Sequence, residues 1–380
     1  MMQKIYSKGD PSGNIRNIFN KISPKTVFLV CGKRSYSRSG VKKAIESAIG
    51  NTGTRIVRFS DFKNNPRLED ITKAVKVYNR EKCGLVIGAG GGSALDIAKA
   101  VSILAGNSGT IKEFVKGNTR LEKRVTPSLM IPTTAGTGSE STRFAVIYID
   151  RVKHALSHPS MVPDHVVLDP SFTESMPPYV AACTGMDALC QAIESFWSIN
   201  STERSRSYAK KAIRLAVSNI YSAVNTADVR SRINMLMAGN LSGKAINITQ
   251  TTAAHAVSYP LTTRIGIPHG HGVALSIAQF IRFNDGVTTV TVRDPRGCRF
   301  VKKIMKELLG LLKVKTSQGA EEKIKDIMTA IGLERHLSAL GMDNKNLETV
   351  INDAMAAPVI KNNPRTVLRK DLRGIMGRII

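Results

Sequence analysis

Short apolar runs alternate with helical patterns through the first half of the chain. The runs at 27–31, 54–59, 85–88, 129–132, 144–149 and 165–169 are strand candidates, and 41–49, 68–79 and 94–104 have helical periodicity. Strands that alternate with helices in this way are typical of parallel βαβ units with right-handed crossovers. The pattern therefore predicts an α/β domain built on a parallel sheet.

The pattern changes after Pro177 and Pro178, where strand signals nearly vanish. Helices are predicted at 179–197, 202–224, 229–241, 244–258, 271–283, 301–312, 320–331 and 347–355. We therefore predict two domains, an α/β domain over residues 1–177 and an all-helical domain over residues 178–380.

Composition and charge exclude several classes of protein. Of 380 residues, 42% are hydrophobic and 22% are charged, which is typical of a globular rather than a disordered chain. The 55 basic and 29 acidic residues give a net charge of +26, which attracts anions. Because these charges are scattered and only 5% of the residues are aromatic, we expect no specific nucleic-acid partner.

Cysteine usage and hydropathy bear on the compartment. Five cysteines without paired spacing predict no disulfide framework and favour a reducing environment. No apolar run reaches the ~18 residues that a membrane span needs, and the N-terminal residues lack the apolar stretch of a signal peptide. We therefore expect a cytoplasmic protein without a membrane partner.

Glycines follow the third predicted strand and open a helix. In GAGGGSALD at 88–96, Gly91 and Gly92 let the backbone approach a phosphate, and the helix N-terminus then offers N–H groups. Ser93 is either the N-cap of this helix or a phosphate ligand. A second loop, PTTAGTGSE at 132–140, also follows a strand, and its hydroxyl groups belong to Thr133, Thr134, Thr137 and Ser139. We interpret both loops as a phosphate-binding edge of the sheet, the alternative being two polar turns.

Candidate metal ligands occur in the helical half. Asp187 and Gln191 are four residues apart on a predicted helix and therefore share a face. His255 lies on a later predicted helix, and His269 directly follows Pro268 where another helix begins. Two imidazoles and a carboxylate suit Zn²⁺ or Fe²⁺, and Gln191 would add an amide oxygen. The alternative is that each histidine is a hydrogen-bonded structural residue.

Several blocks of sequence, in order, resemble the iron-containing (group III) alcohol dehydrogenases. They are GGGS at 90–93 with Asp96 and Lys99, PTTAGTGSE at 132–140, GMDAL at 185–189, and the segment 255–270. The resemblance implies the dehydroquinate synthase-like fold of this family. Residues 1–177 would then form the dinucleotide-binding domain, and residues 178–380 the all-helical domain that holds metal and substrate. It also implies a homodimer and a cofactor-binding role for Asp96.

The resemblance assigns the metal to Asp187, Gln191, His255 and His269, with one departure. The family carries a histidine where this chain has Gln191. An amide oxygen is a weaker and harder ligand than imidazole, so metal affinity falls or metal preference shifts. Alternatively, Gln191 does not bind the metal and water takes its place. We expect Fe²⁺, with Zn²⁺ as the other candidate.

A narrower resemblance points to the phosphonoacetaldehyde reductase branch of the family. It comes from QAIESFWSINST at 191–202, GKAINIT at 243–249 and GHG at 270–272. It implies reduction of a small anionic aldehyde, phosphonoacetaldehyde, to 2-hydroxyethylphosphonate. Such a substrate needs a cation in its pocket, for which Lys244 is the first candidate and Arg264 the second, unless both are surface cations. His271 is a candidate proton relay, or else a residue with a structural hydrogen bond.

The end of the first predicted strand bears on cofactor choice. Gly32 stands where many NAD-preferring relatives carry an acidic residue, and Lys33 and Arg34 follow it. An acid there binds the ribose hydroxyls and repels a 2′-phosphate. Its absence favours NADPH, with NADH also possible. Lys153 resembles the family lysine near the cofactor ribose.

Three other interpretations stay open on the sequence. The chain could be a general dehydrogenase of short-chain alcohols or aldehydes. It could have dehydroquinate-synthase-like chemistry, in which the nicotinamide is used only transiently. It could also be a basic protein that binds nucleic acid without sequence preference.

Overall fold

The computed structural model describes residues 3–50, 52–116, 119–122, 126–150 and 152–380. The chain forms two compact units. The first runs to Thr134 and resumes over Gly138–Met176. The second consists of Ala135–Thr137 and Pro177–Ile380, so three residues of the second predicted loop belong with the helices.

The first unit is built on a parallel sheet of six strands in the order β1-β8-β5-β4-β2-β3. Its strands are β1 (Lys4–Tyr6), β2 (Thr26–Cys31), β3 (Arg55–Phe59), β4 (Leu85–Gly90), β5 (Ser128–Pro132) and β8 (His165–Val167), and an antiparallel hairpin pairs β6 (Phe144–Ile149) with β7 (Val152–Ser157). Its helices are α1 (Pro11–Ile22), α2 (Ser35–Arg38), α3 (Val41–Ile49), α4 (Leu68–Glu81), α5 (Gly92–Leu104) and α6 (Ile111–Lys116). The central strands β4 and β5 are buried throughout, as a parallel sheet covered on both faces requires.

The parallel α/β architecture is confirmed, although five elements of this unit, β1, α1, α2, α6 and β7, escape the hydrophobic pattern. Strand β1 has only three residues, too few for a periodic signal. Helix α1 begins in DPSG, which reads as a turn, but the Asp10 side chain accepts a hydrogen bond from Gly13 N and Pro11 occupies the first turn. Strand β7 has only one buried residue among six and therefore carries little apolar pattern.

The second unit is helical. It contains α7 (Pro178–Trp197), α8 (Glu203–Asn225), α9 (Val229–Thr249), α10 (Ala253–Pro260), α11 (His269–Asp285), α12 (Cys298–Leu311), α13 (Ser317–Ala330), α14 (Asn344–Ala356) and α15 (Arg369–Met376). A single π-helical turn, Leu261–Ile265, follows α10. Within the described ranges, no helix combines the length and apolar character that crossing a bilayer requires.

The predicted break near Gly243 is wrong. Helix α9 continues through this glycine to Thr249, because Gly243 is buried among packed helices. The chain turns instead at Gln250, whose φ is +57°. The next helix therefore begins at Ala253, two residues before His255.

Candidate functional site

The glycine loop after β4 forms the start of α5. Gly91 is the N-cap, so the alternative that made Ser93 the N-cap is wrong, and Gly92 and Ser93 lie in the first turn. The Ser93 hydroxyl accepts a hydrogen bond from Asn65 N at 3.2 Å. The first amide groups of α5 therefore lie at the carboxyl end of the buried strand β4. Parallel sheets bind phosphates at this edge, where helix N-termini offer unpaired N–H groups.

The second loop lies beside the first. Thr133 N donates to Gly90 O at 3.0 Å, because β4 and β5 are adjacent parallel strands. A Cβ atom added to Gly91 would lie 3.3 Å from Thr134 Cγ2. The structure thus brings Gly91, Thr133 and Thr134 together, as expected from two neighbouring strand ends.

The side chains of Asp96 and Ser139, both predicted to bind the cofactor, form a hydrogen bond with each other. Ser139 Oγ donates to Asp96 Oδ1 at 2.5 Å, and Val146 N donates to Asp96 Oδ2 at 3.1 Å. Lys99 Nζ lies 3.2 Å from Asp96 Oδ1 and donates to Ser139 O at 2.8 Å. These contacts fasten the end of the second loop to α5.

A cation that sequence reasoning missed, Arg58, lies next to the end of β2. Arg58, on the adjacent strand β3, donates to Cys31 Sγ at 3.2 Å and to Lys33 O at 3.3 Å. Gly32 lies between these two residues, so the guanidinium sits over the end of β2. Lys33 itself is exposed and lies 3.6 Å from Asp61. The sequence did offer a signal for this contact, because Arg58 lies near the end of the strand that follows β2 in the chain.

Two further residues predicted to bind cofactor have other surroundings. Lys153 is on β7, opposite Tyr148 in the hairpin. Thr137 belongs to the helical unit, and its carbonyl oxygen accepts a hydrogen bond from Gln191 at 3.3 Å. Their roles at the cofactor stay predictions.

Three of the predicted metal ligands converge. One ligand atom from each of Asp187, His255 and His269 lies within 4.8 Å of the others. Asp187 Oδ1 is 3.5 Å from His255 Nε2 and 4.0 Å from His269 Nε2. His269 Nδ1 lies 3.1 Å from the Ser258 hydroxyl, which leaves Nε2 for the cluster. The side chain of His269 is 27% exposed and the other two are buried, so the cluster is open on one side.

Glu194 is a member of this site that sequence reasoning missed. It is completely buried, and its Oε2 accepts a hydrogen bond from His255 Nδ1. Its Oε1 accepts from Thr252 N, Ala254 N and His255 N at 3.1, 3.0 and 3.2 Å. One carboxylate therefore binds the first amides of α10 and turns His255 Nε2 towards Asp187. The sequence did offer a signal for Glu194, because it comes seven residues after Asp187 on α7 and therefore lies on the same face of that helix.

The cluster fits a divalent metal ion. His255 Nε2 is buried and makes no hydrogen bond to any residue in the described part of the chain. Burial lowers the pKa of His255, but the carboxylates of Glu194 and Asp187 outweigh it and raise that pKa to about 9. Two imidazoles and a carboxylate are donors that Fe²⁺ and Zn²⁺ both accept.

His271 lies two residues after His269 on α11, and its hydrogen bonds go to residues outside the cluster of Asp187, His255 and His269. Its Nε2 donates to Glu334 O at 2.7 Å, so Nδ1 accepts from the Tyr179 hydroxyl at 3.1 Å. Tyr179 precedes Asp187 by two helical turns, about 12 Å along α7. Burial lowers the pKa of His271, so the ring is neutral near pH 7.

The two candidate substrate cations have other partners. Lys244 Nζ lies 6.0 Å from the centre of the Tyr208 ring on α8. Lys244 comes two residues after Ser242 on α9. Its side chain therefore projects from the helix about 200° away from that of Ser242, which is nearly the opposite face. Arg264 pairs with Asp353 at 2.5 Å, as the surface-cation alternative expects.

Both units of the chain match models of one protein family. Residues 3–170 match the family model described as iron-containing alcohol dehydrogenase, and residues 181–380 match the model of the family's C-terminal part. Long-chain-alcohol dehydrogenase 1 of Geobacillus thermodenitrificans is 32% identical over 88% of this chain and 85% of its own. Phosphonoacetaldehyde reductase of Streptomyces viridochromogenes is 32% identical over 78% and 76%. The structure of sulfoacetaldehyde reductase from Bifidobacterium kashiwanohense with NAD⁺ superposes with a TM-score of 0.85 at 26% identity, covering 100% and 99% of the two chains.

Proposed function

Because the chain belongs to the iron-containing alcohol dehydrogenase family, whose members interconvert alcohols and aldehydes with NAD(P), we propose that it reduces phosphonoacetaldehyde to 2-hydroxyethylphosphonate. We propose NADPH as the preferred cofactor and Fe²⁺ as the metal. The observation that carries the metal-dependent chemistry of the proposal is the cluster of Asp187, His255 and His269, in which the buried His255 Nε2 makes no hydrogen bond to a described residue.

The residues of the cluster have distinct tasks in this proposal. A divalent metal supplies polarisation of the carbonyl oxygen, and a reduced nicotinamide supplies the hydride. Asp187 brings one negative charge, so the loaded site stays electropositive towards a developing alkoxide. Glu194 keeps the proton of His255 on Nδ1 and leaves Nε2 for ligation. His271 stays the candidate proton relay that the sequence suggests, and in this structure its two ring nitrogens bond to Glu334 O and to the Tyr179 hydroxyl.

Two relatives support the substrate class. One is named for phosphonoacetaldehyde and the other for sulfoacetaldehyde. Phosphonate and sulfonate are both tetrahedral oxyanions one carbon from an aldehyde, so one cationic pocket suits either. The net charge of +26 favours encounter with an anion. Lys244 stays our first candidate for the cation that holds the oxyanion and Arg264 the second, although in this structure Lys244 lies against the Tyr208 ring and Arg264 pairs with Asp353.

The substrate prediction is tested by NADPH oxidation with the Fe²⁺-loaded enzyme. We expect kcat/KM for phosphonoacetaldehyde to exceed that for propanal by about 10- to 100-fold, since a charge-assisted hydrogen bond contributes ~1.5–3 kcal/mol. Lys244→Ala should remove this preference, whereas Lys211→Ala, at an exposed position of α8, should retain it.

Sulfoacetaldehyde belongs in the same assay. A preference for the sulfonate would leave the anionic class standing and change the substrate. Equal kcat/KM for all three aldehydes would instead favour a general alcohol dehydrogenase and contradict the anionic substrate.

Cofactor choice is predicted to depend on Arg58. Its guanidinium lies over the end of β2, where a 2′-phosphate would bind. We expect Arg58→Ala to raise KM for NADPH by about tenfold or more, from the loss of a charge-assisted hydrogen bond, with little change for NADH. Steady-state kinetics with both cofactors measure this ratio.

Two variants complete that experiment. Arg55→Ala is the matched control, because Arg55 lies at the start of the same strand and pairs with Glu81 at 2.5 Å. Gly32→Asp should shift the preference towards NADH, and its Cβ requires only that the Ser35 hydroxyl rotate away. An NADPH/NADH ratio that neither Arg58→Ala nor Gly32→Asp alters would refute the assignment.

A further inference from the structure

The amide nitrogen of Gln191, not its oxygen, faces Asp187. The side chain is buried on α7, and its Nε2 lies 3.1 Å from Asp187 Oδ2 and 3.3 Å from Thr137 O. At the other end of the amide, Oε1 lies 3.1 Å from the Ser242 hydroxyl.

The hydrogen-bonding capacity of these neighbours determines the orientation of the amide. The Asp187 carboxylate and the Thr137 carbonyl can only accept, so the group facing them must donate. Rotating the amide by 180° would place Oε1 against two oxygens that carry no proton. The Ser242 hydroxyl, which also lies 2.9 Å from Gly239 O, can donate or accept and suits either end. The two acceptors, Asp187 Oδ2 and Thr137 O, therefore determine that the amide nitrogen faces them.

The Thr137 carbonyl is itself held in place. Gly136, the preceding residue, packs its backbone against Thr184 and Gly239, and a Cβ atom on it would lie 2.2 Å from Thr184 O. The residue before Thr137 is therefore packed closely within the helical unit. The acceptor that Gln191 contacts consequently belongs to a closely packed segment of the helical unit.

An amide nitrogen in this orientation is a donor and offers no lone pair to a metal. Asp187 Oδ2 is engaged by the amide, whereas Asp187 Oδ1 faces both histidines. The carboxylate is thus presented to the cluster through one oxygen.

We infer that Gln191 is a positioning residue that fixes the Asp187 carboxylate, and that the metal has three protein ligands, Asp187, His255 and His269. The inference rests on the metal site of the proposed function. Three protein ligands with an open position are the arrangement of catalytic zinc sites, so the position that a fourth ligand would occupy is available to water or substrate.

The experiment combines a crystal structure of the Zn²⁺-loaded wild-type protein with Zn²⁺ affinities from chelator competition. In the crystal we expect Zn²⁺ on Asp187, His255 and His269, with Gln191 Nε2 still bonded to Asp187. For Gln191→Leu we expect one bound Zn²⁺ and a Kd raised about tenfold, the size typical of an outer-shell partner. His269→Ala, which removes a ligand, should raise the Kd much further.

Each outcome bears on a different claim. Gln191 Oε1 within about 2.2 Å of Zn²⁺, or a loss in Gln191→Leu as large as in His269→Ala, would overturn the inference and leave the metal site standing. A wild-type protein that binds no stoichiometric Zn²⁺ or Fe²⁺ would overturn both. Far-UV circular dichroism of each variant separates loss of affinity from loss of fold.

Discussion

Replacing Glu194 with glutamine is expected to weaken metal binding by about 10- to 100-fold, the usual effect of removing the partner of a metal-bound histidine. The buried carboxylate accepts from three backbone amides at the start of α10 and from His255 Nδ1. A glutamine would present an NH₂ group to some of these donors, leaving buried N–H groups unsatisfied. His255 would then lose both its fixed ring orientation and its fixed tautomer. Chelator competition and metal analysis after dialysis measure the loss.

Asp294→Asn provides a matched control for this prediction. Asp294 is also buried in the helical unit, but its carboxylate pairs with Arg296 at 2.6 Å. We expect this variant to lower the unfolding temperature while keeping the metal affinity of the wild type. If Asp294→Asn and Glu194→Gln lose metal equally, the effect comes from general destabilisation, and the assigned role of Glu194 is wrong.

Periodicity predicted the elements whose faces are uniformly buried or cleanly amphipathic. Helix α3 occupies the predicted range 41–49, and β6 the predicted range 144–149. The short strand β1 and the half-exposed strand β7 lack such a pattern. The interruption at Gly243 illustrates a different limit, because tertiary packing overrides the helix-breaking tendency of one glycine.

The candidate site was predictable as a set of residue types but not as a set of contacts. Helical spacing puts Asp187 and Gln191 on one face, yet it cannot say which end of the amide is turned towards the carboxylate. That depends on Thr137, which is 54 residues earlier in the chain. The partnership of Glu194 with α10 likewise requires the helices to be packed before it can be seen.

Asp96 illustrates how one motif serves structure and function together. Its place in the glycine-loop signature suggested a cofactor ligand, whereas its oxygens accept from Ser139 Oγ and Val146 N. The cofactor-binding role of Asp96 stays a prediction, and these contacts show that the residue also holds the second loop against α5. The same reasoning applies to Lys99, three residues further along α5.

Lys99→Met is expected to lower the free energy of unfolding by about 3–5 kcal/mol, the typical cost of breaking a buried ion pair. Lys99 is 0% exposed, and its ammonium donates to Ser139 O, Thr142 Oγ1 and Phe144 O beside Asp96. Burial lowers the pKa of Lys99, and the neighbouring Asp96 carboxylate acts in the opposite direction. Methionine fills a similar volume but leaves the Asp96 carboxylate without its buried cation.

Urea unfolding distinguishes a local from a general effect, because Trp197, the chain's one tryptophan, lies in the helical unit. Lys99→Met should shift the transition seen by circular dichroism to lower urea, and it should shift the tryptophan fluorescence transition less. Lys42→Met removes an exposed lysine, whose i,i+4 pair with Glu46 at 3.7 Å contributes only ~0.3–0.5 kcal/mol. If the two variants unfold at the same urea concentration, the ammonium does not hold the loop, and the position of Ser139 depends on backbone packing alone. A larger shift in Lys99→Met, together with weaker NADPH binding, would connect the buried lysine to the cofactor through the loop it fastens.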